Sequence, residues 1–103
     1  MEKKYKIKYL PAFYKDLDEI TNYISKKLLN NIAAQHFLDD VEKEIYKRQL
    51  GPESTAKYIS SKNRKNTYYR IHVKNYTIFY IVKDNTMEIR RILYSKRNFR
   101  DLI

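Results

Sequence analysis

The chain has no cysteine, no tryptophan, a single glycine and two prolines in 103 residues. Without cysteine there is no disulfide framework, no thiolate metal site and no cysteine nucleophile. One glycine is too few for a Gly-rich phosphate loop, so the P-loop and the dinucleotide-binding fingerprint are both excluded. The opening Met1-Glu2-Lys3-Lys4-Tyr5-Lys6-Ile7-Lys8 lacks the apolar run of a signal peptide, and nothing later approaches a membrane span. The expectation is a cytoplasmic protein with no membrane partner. Histidine is also scarce. His36 and His72 are too few and too far apart for a metal site, so neither a metal nor a cofactor is expected.

Positive charge is abundant. Lys and Arg total 22 against 12 Asp and Glu, a net charge of +10. Lysine, asparagine, isoleucine and tyrosine are all over-represented, a bias that codon usage in an A/T-rich genome can produce, so distribution is more telling than total. Residues 1–53 are nearly neutral, with 10 basic and 9 acidic groups, whereas residues 54–103 carry 12 basic and 3 acidic groups. Six of the seven arginines fall in that second half: Arg64, Arg70, Arg90, Arg91, Arg97 and Arg100. Codon drift towards lysine does not cluster arginines. The guanidinium fork matches phosphate geometry, so the C-terminal half is expected to present a surface for an anionic partner.

The length bounds the chain to one compact domain, residues 1–103, able to bury a single core. Tyr5, Ile7 and Tyr9 alternate with lysines, the period of a strand with one wet face. Pro11 stands where a helix can begin. Phe13, Leu17, Ile20, Ile24 and Leu28 then recur at steps of three and four, which predicts an amphipathic helix over about 11–29. Asp16, Asp18 and Glu19 are assigned to its wet face, as are Asp39 and Asp40 to that of the second helix. Asn30-Asn31 is the break, and either residue can cap that second helix. Ala34, Phe37, Leu38, Val41 and Ile45 make its stripe, closed by Lys47, Arg48, Gly51 and Pro52. A two-residue break between helices implies an antiparallel hairpin.

From residue 67 the pattern becomes extended. Tyr69, Ile71 and Val73 alternate with Tyr68, Arg70, His72 and Lys74. Lys74-Asn75 and Asp84-Asn85 read as tight turns. Residues 76–82 are apolar or aromatic on both faces, which predicts a central strand. Residues 87–94 form a further strand, with a bulge expected at Arg90-Arg91. The predicted fold is therefore α+β: an N-terminal strand and helical hairpin on a twisted antiparallel sheet, in the order β-α-α-β-β-β, with a basic tail that has room for a short helix.

Candidate functional residues gather in the basic half. Lys57, Lys62, Arg64 and Lys65 lie in the one long connection, with Glu53 at its start. Tyr68, Arg70, His72 and Lys74 are expected on one strand face, and Tyr94, Lys96 and Arg97 come at the end of the last strand and just beyond it. Aromatics interleaved with cations suit RNA, because rings stack on bases and guanidiniums hold phosphates; a non-toxic RNA-binding domain would use the same features. A metal-free ribonuclease could be assembled from the same parts. It needs a base for the 2′-OH, an acid for the leaving oxygen and a cation for the accumulating charge.

Taken together, these segments resemble the RelE/ParE superfamily of toxins from type II toxin–antitoxin modules, over essentially the whole chain. The resemblance rests on the helical hairpin followed by Tyr69-Arg70-Ile71-His72-Val73, then Asn75-Tyr76-Thr77-Ile78-Phe79-Tyr80-Ile81-Val82, then Ile89-Arg90-Arg91-Ile92-Leu93-Tyr94-Ser95-Lys96-Arg97-Asn98. It implies a cytoplasmic bacterial toxin neutralised by a cognate antitoxin. RelE-like members cut mRNA on the ribosome, and ParE-like members poison DNA gyrase. On the nuclease reading, Arg70 and Arg97 would hold phosphate while His72 or Tyr94 moved protons, with Glu53 or Lys57 in reserve. On either reading Lys57, Lys62, Arg64, Lys65, Lys74, Arg90, Arg91 and Lys96 would bind the target. The nuclease branch usually carries arginine directly after the tyrosine matched by Tyr76, where this chain has Thr77. Its C-terminal catalytic tyrosine beyond Arg97 is also unmatched, with Tyr94 the nearest. These departures favour the ParE-like branch. The antitoxin is expected to bring an acidic, apolar segment across the basic groove or along the helical hairpin.

Overall fold

A computed structural model describes residues 4–52, 57–58 and 67–97. The first strand, β1 (Lys6–Tyr9), keeps its lysines exposed and Ile7 and Tyr9 half-buried. Helix α1 (Pro11–Asn22) starts with Pro11 in its first turn, where the missing N–H costs nothing. Phe13 and Ile20 are buried and Leu17 and Ile24 pack against the same core.

The stripe departs from expectation at its end. Residues Tyr23–Lys27 wind as a π-helix, in which the Leu28 N–H reaches back five residues to the Tyr23 carbonyl at 3.2 Å. The wider turn advances the side chains out of phase with the α-helical stripe. Leu28 is consequently 57% exposed rather than in the core. Leu29 then takes a positive φ of 50° and stops the helix.

Asn30 caps helix α2 (Asn31–Arg48), its Oδ1 accepting from the Ala33 N–H at 3.0 Å. Ala34, Phe37, Val41 and Ile45 are buried as the spacing predicts. The helix closes without a left-handed glycine. Gln49 N–H and Gly51 N–H bond three residues back, to Tyr46 and Arg48 carbonyls, and no glycine has positive φ among the described residues. Gln49 Nε2 also donates to the Tyr5 carbonyl at 2.8 Å, tying the helix end to the first strand.

Three long strands form a meander: β3 (Tyr68–Val73), β4 (Tyr76–Lys83) and β5 (Thr86–Tyr94), with β2 (Lys57–Tyr58) between α2 and β3. The sheet order is β1-β5-β4-β3-β2. All pairings are antiparallel except β1 with β5, which is parallel, so the sheet is mixed. Sequence alternation could not distinguish these cases, since both pairings share the period of two. The two-residue β2 falls inside the segment read as a plain connection; it pairs Lys57 with Tyr69 and Tyr58 with Tyr68. Both meander turns are two residues long, as the sequence suggested. Lys74 has φ 53°, and Asp84 and Asn85 have φ 50° and 67°, the left-handed values that tight hairpins require.

The expected bulge is present. Phe79 pairs with Arg91 and Tyr80 with Ile89, leaving Arg90 as the extra residue. Two cores result. The larger lies between sheet and helices and includes Phe13, Phe37, Ile45, Ile71, Tyr80 and Ile89; the smaller comprises Tyr68, Phe79, Ile81 and Leu93. Strand alternation puts the smaller one on the sheet face away from the helices. β4 feeds both, as expected of a central strand. Among the described residues no helix is long and apolar enough to cross a membrane.

Candidate functional site

The cations predicted for one surface divide between the two sheet faces. Tyr69, Ile71 and Val73 point into the main core, so Tyr68, Arg70 and His72 occupy the opposite face, as the alternation predicts. Arg70 pairs across with Phe79, and His72 with Thr77. Thr77 is 1% exposed. Its hydroxyl lies 3.2 Å from His72 Nδ1 and 2.8 Å from Ser95 Oγ, forming a short polar chain on that face. Thr77 can orient the imidazole but brings no charge. Arg90, displaced by the bulge, sits with its guanidinium 5.9 Å above the Tyr68 ring and 3.2 Å from Glu88. The face thus carries Arg70, His72 and Arg90, while Phe79, Ile81 and Leu93 on the same side of the sheet are buried.

Other candidates lie elsewhere. Lys74, at the turn after β3, lines a hollow of about 240 Å³ with His72 and with Asp40, Lys43 and Glu44 of α2, a hollow that does not include Arg70. Lys74 has a positive φ, and its ammonium lies 3.6 Å from Asp40 on α2. Tyr94 stands opposite Tyr76 on the helix side of the sheet, with ring centroids 5.8 Å apart at 70°. Tyr76 in turn meets Phe37 of α2 edge-on at 5.2 Å. Burial raises the Tyr76 phenol pKa, and Tyr23 and Tyr94 add to the rise. Tyr94 and Arg97 line a cleft of about 190 Å³ with Glu19 and Tyr23 of the first helical segment. Lys96 is exposed and is not among the residues that line this cleft. Lys57 lies on β2, next to β3. Glu53, Lys62, Arg64 and Lys65 fall outside the described residues, as does the tail given room for a helix.

Arg91 is held in a structural bond. Its Nε donates to Asp16 Oδ2 at 2.7 Å and its NH2 group to Asp16 Oδ1 at 2.9 Å. The Ile92 N–H donates to the same carboxylate at 3.2 Å. Three donors on one carboxylate explain why Asp16 tolerates 7% exposure. The bond to Asp16 raises the Arg91 pKa still further, against the opposing effect of burial. Asp16 therefore does not belong to the wet face of α1. The signal was in the sequence: Phe13, Asp16 and Ile20 are spaced three and four apart, so the carboxylate lies within the buried stripe.

The arrangement can bind an anionic partner through Arg70, His72 and Arg90. It does not bring Arg70 and His72 onto the surface that holds Tyr94 and Arg97.

Comparison with known proteins supplies the wider setting. A family model described as the ParE toxin of type II toxin–antitoxin system, parDE, matches residues 7–99. The chain is similar to a solved structure described as a chromosomal ParDE TA system from P. aeruginosa, with a TM-score of 0.72 and 16% identity over 90% of this chain and 98% of that one. It is also similar to YafQ from E. coli strain BL21(DE3), with a TM-score of 0.51 and 15% identity over 88% and 93% of the two chains. At these identities the structural likeness is one of fold. No curated protein matches the chain.

Proposed function

Because the chain belongs to the ParE toxin family of type II toxin–antitoxin systems, we propose that it arrests growth by binding and inhibiting a nucleic-acid-processing target, DNA gyrase foremost, with a cognate antitoxin to neutralise it. The observation that carries this reading over mRNA cleavage is the division of the candidate catalytic set. Arg70 and His72 lie on the face away from the helices, whereas Tyr94 and Arg97 line the cleft beside α1. General acid–base catalysis needs its acid, base and charge-stabilising cation within hydrogen-bond reach of one reacting centre. Thr77, at the position where the nuclease branch usually carries an arginine, is buried and uncharged. Inhibition by binding needs no such convergence. It needs a surface, and Arg70, His72 and Arg90 on one sheet face supply a cationic one.

A supercoiling assay with purified gyrase tests the reading. Supercoiling is expected to fall as the toxin is added in excess and to recover when the antitoxin is supplied. Undiminished supercoiling, together with new transcript ends mapped in ribosome-covered messages, would transfer the assignment to the RelE-like endoribonuclease.

A further inference from the structure

A second hollow, remote from the strand face, has the opposite charge character. It lies between α1 and α2 beside the end of β1, with a volume of about 410 Å³. Four rings line it: Tyr9, Phe13, Tyr14 and Tyr46. The Tyr9 ring centroid lies 5.5 Å from that of Phe13 and 5.7 Å from that of Tyr14, so these three rings form one continuous aromatic wall. Tyr14 and Tyr46 are each about half exposed, at 52% and 53%. The α2 side adds two carboxylates, Asp39 and Glu42, both exposed. Asp39 accepts a hydrogen bond from Gln35 Nε2 at 3.0 Å, which leaves lone pairs available. Among the described residues, no lysine or arginine lines the hollow, in a chain whose net charge is +10. Burial, with Tyr46, Tyr14 and Glu42 close by, pushes the Tyr9 phenol up to about 12, consistent with a site hostile to added negative charge.

We propose that this hollow is a docking site for a basic side chain, arginine or lysine, carried on an apolar peptide segment of a partner protein. The chemistry selects the occupant. Ring faces attract a cation through their quadrupole and also cover the methylene stem that bears it. Carboxylates at the rim supply the charged acceptors that a guanidinium or ammonium head needs. An acidic side chain would face two like charges and gain nothing from the rings. The antitoxin is the natural bearer of such a segment, and that attribution rests on the toxin family; the cation preference of the hollow does not. An antitoxin segment over the helical hairpin would then be basic and apolar here, whatever acidic residues it directs elsewhere.

The test uses a pair of probes of the same shape that differ in charge, n-butylguanidinium and n-butylurea, titrated into the full chain and followed through the tyrosine ring resonances. n-Butylguanidinium is expected to shift Tyr9, Tyr14 and Tyr46 saturably, with about tenfold tighter binding than n-butylurea. The double variant Asp39→Asn, Glu42→Gln, which changes only exposed side chains, is expected to abolish that preference. Its unfolding midpoint should stay unchanged, which separates a lost site from a lost fold. A short peptide, Leu-Ala-Arg-Ala-Leu with blocked ends, is expected to compete with n-butylguanidinium, and its Glu counterpart is not. Equal binding of the charged and neutral probes, competition by the Glu peptide, or cation binding that leaves these three rings unmoved would each overturn the proposal. None of these outcomes depends on gyrase, so failure of this site and failure of the gyrase assignment are separately visible.

Discussion

At the scale of a single side chain, Asp16 shows how one carboxylate can fasten a helix to a sheet. It takes both donors of the Arg91 fork and one backbone N–H of β5. Asp16→Asn keeps the shape but removes the charge and one acceptor, leaving a half-buried guanidinium without its counter-ion. Its stability is expected to fall by about 2 kcal/mol. Urea unfolding should register this as a lower midpoint with unchanged slope, while Asp18→Asn, on the exposed side of α1, stays near wild type. Tyr9 gives a second prediction at this scale. Its folded-state pKa is raised from 10.0 to about 12, chiefly by burial. The fold therefore favours the protonated phenol. That contribution is complete below the unfolded value and is lost as pH climbs from about 10 through about 12. Tyr9→Phe, which cannot ionise, should lose less stability over that alkaline window in pH-dependent thermal melts. The position of Asp16 in the buried stripe could be read from spacing, but its partner could not. Arg91 is 75 residues away in sequence, and only the docking of α1 on β5 brings the two together.

Elements were set largely by local chemistry. Asn30 caps α2 through its own side chain, so Asn30→Ala is expected to cost about 1 kcal/mol in equilibrium unfolding. Asp84 and Asn85 hold left-handed φ in a two-residue hairpin, which asparagine and aspartate tolerate and β-branched residues do not. Asn85→Val should therefore destabilise by about 1–2 kcal/mol, and Asn85→Gly should be neutral or mildly stabilising, as measured by the same unfolding curves. The π-helical stretch was not legible in this way. Tyr23–Lys27 contains no glycine or proline to mark it, and its consequence, the displacement of Leu28 from the stripe, comes from backbone winding alone. The short β2 was hidden for a different reason. Two residues are too few to establish an alternation, and their pairing is decided by β3.

For the whole molecule, the relevant quantity is where the cations point. The C-terminal half carries the charge, yet Arg91 turns to Asp16, Lys74 to Asp40, and Arg97 to the cleft beside α1. Arg70 and Arg90 remain on the face away from the helices. If that face meets the target, Arg70→Glu with Arg90→Glu should weaken inhibition in the supercoiling assay by at least about tenfold, since like charge at an interface costs several kcal/mol. Circular dichroism should remain that of the wild type, and raising salt should weaken the wild-type effect more than the variant's. The molecule thus has two chemically opposite surfaces, a cationic strand face and an acidic, aromatic hollow between helices. A net charge summed over the sequence conceals the second completely.

Periodicity, caps and turn residues by themselves determined the strand, the helical hairpin, the meander and even the bulge at Arg90, because each depends on neighbours within a few residues. The family likeness was legible for the same reason, as an ordered succession of local patterns. Tertiary structure alone decided which charged groups share a surface. A bulge rotates one arginine past the next, a lysine at a left-handed turn pairs with a helical aspartate, and a parallel edge strand positions α1 so that Asp16 meets β5. These depend on how distant segments dock, and the sequence period is indifferent to them.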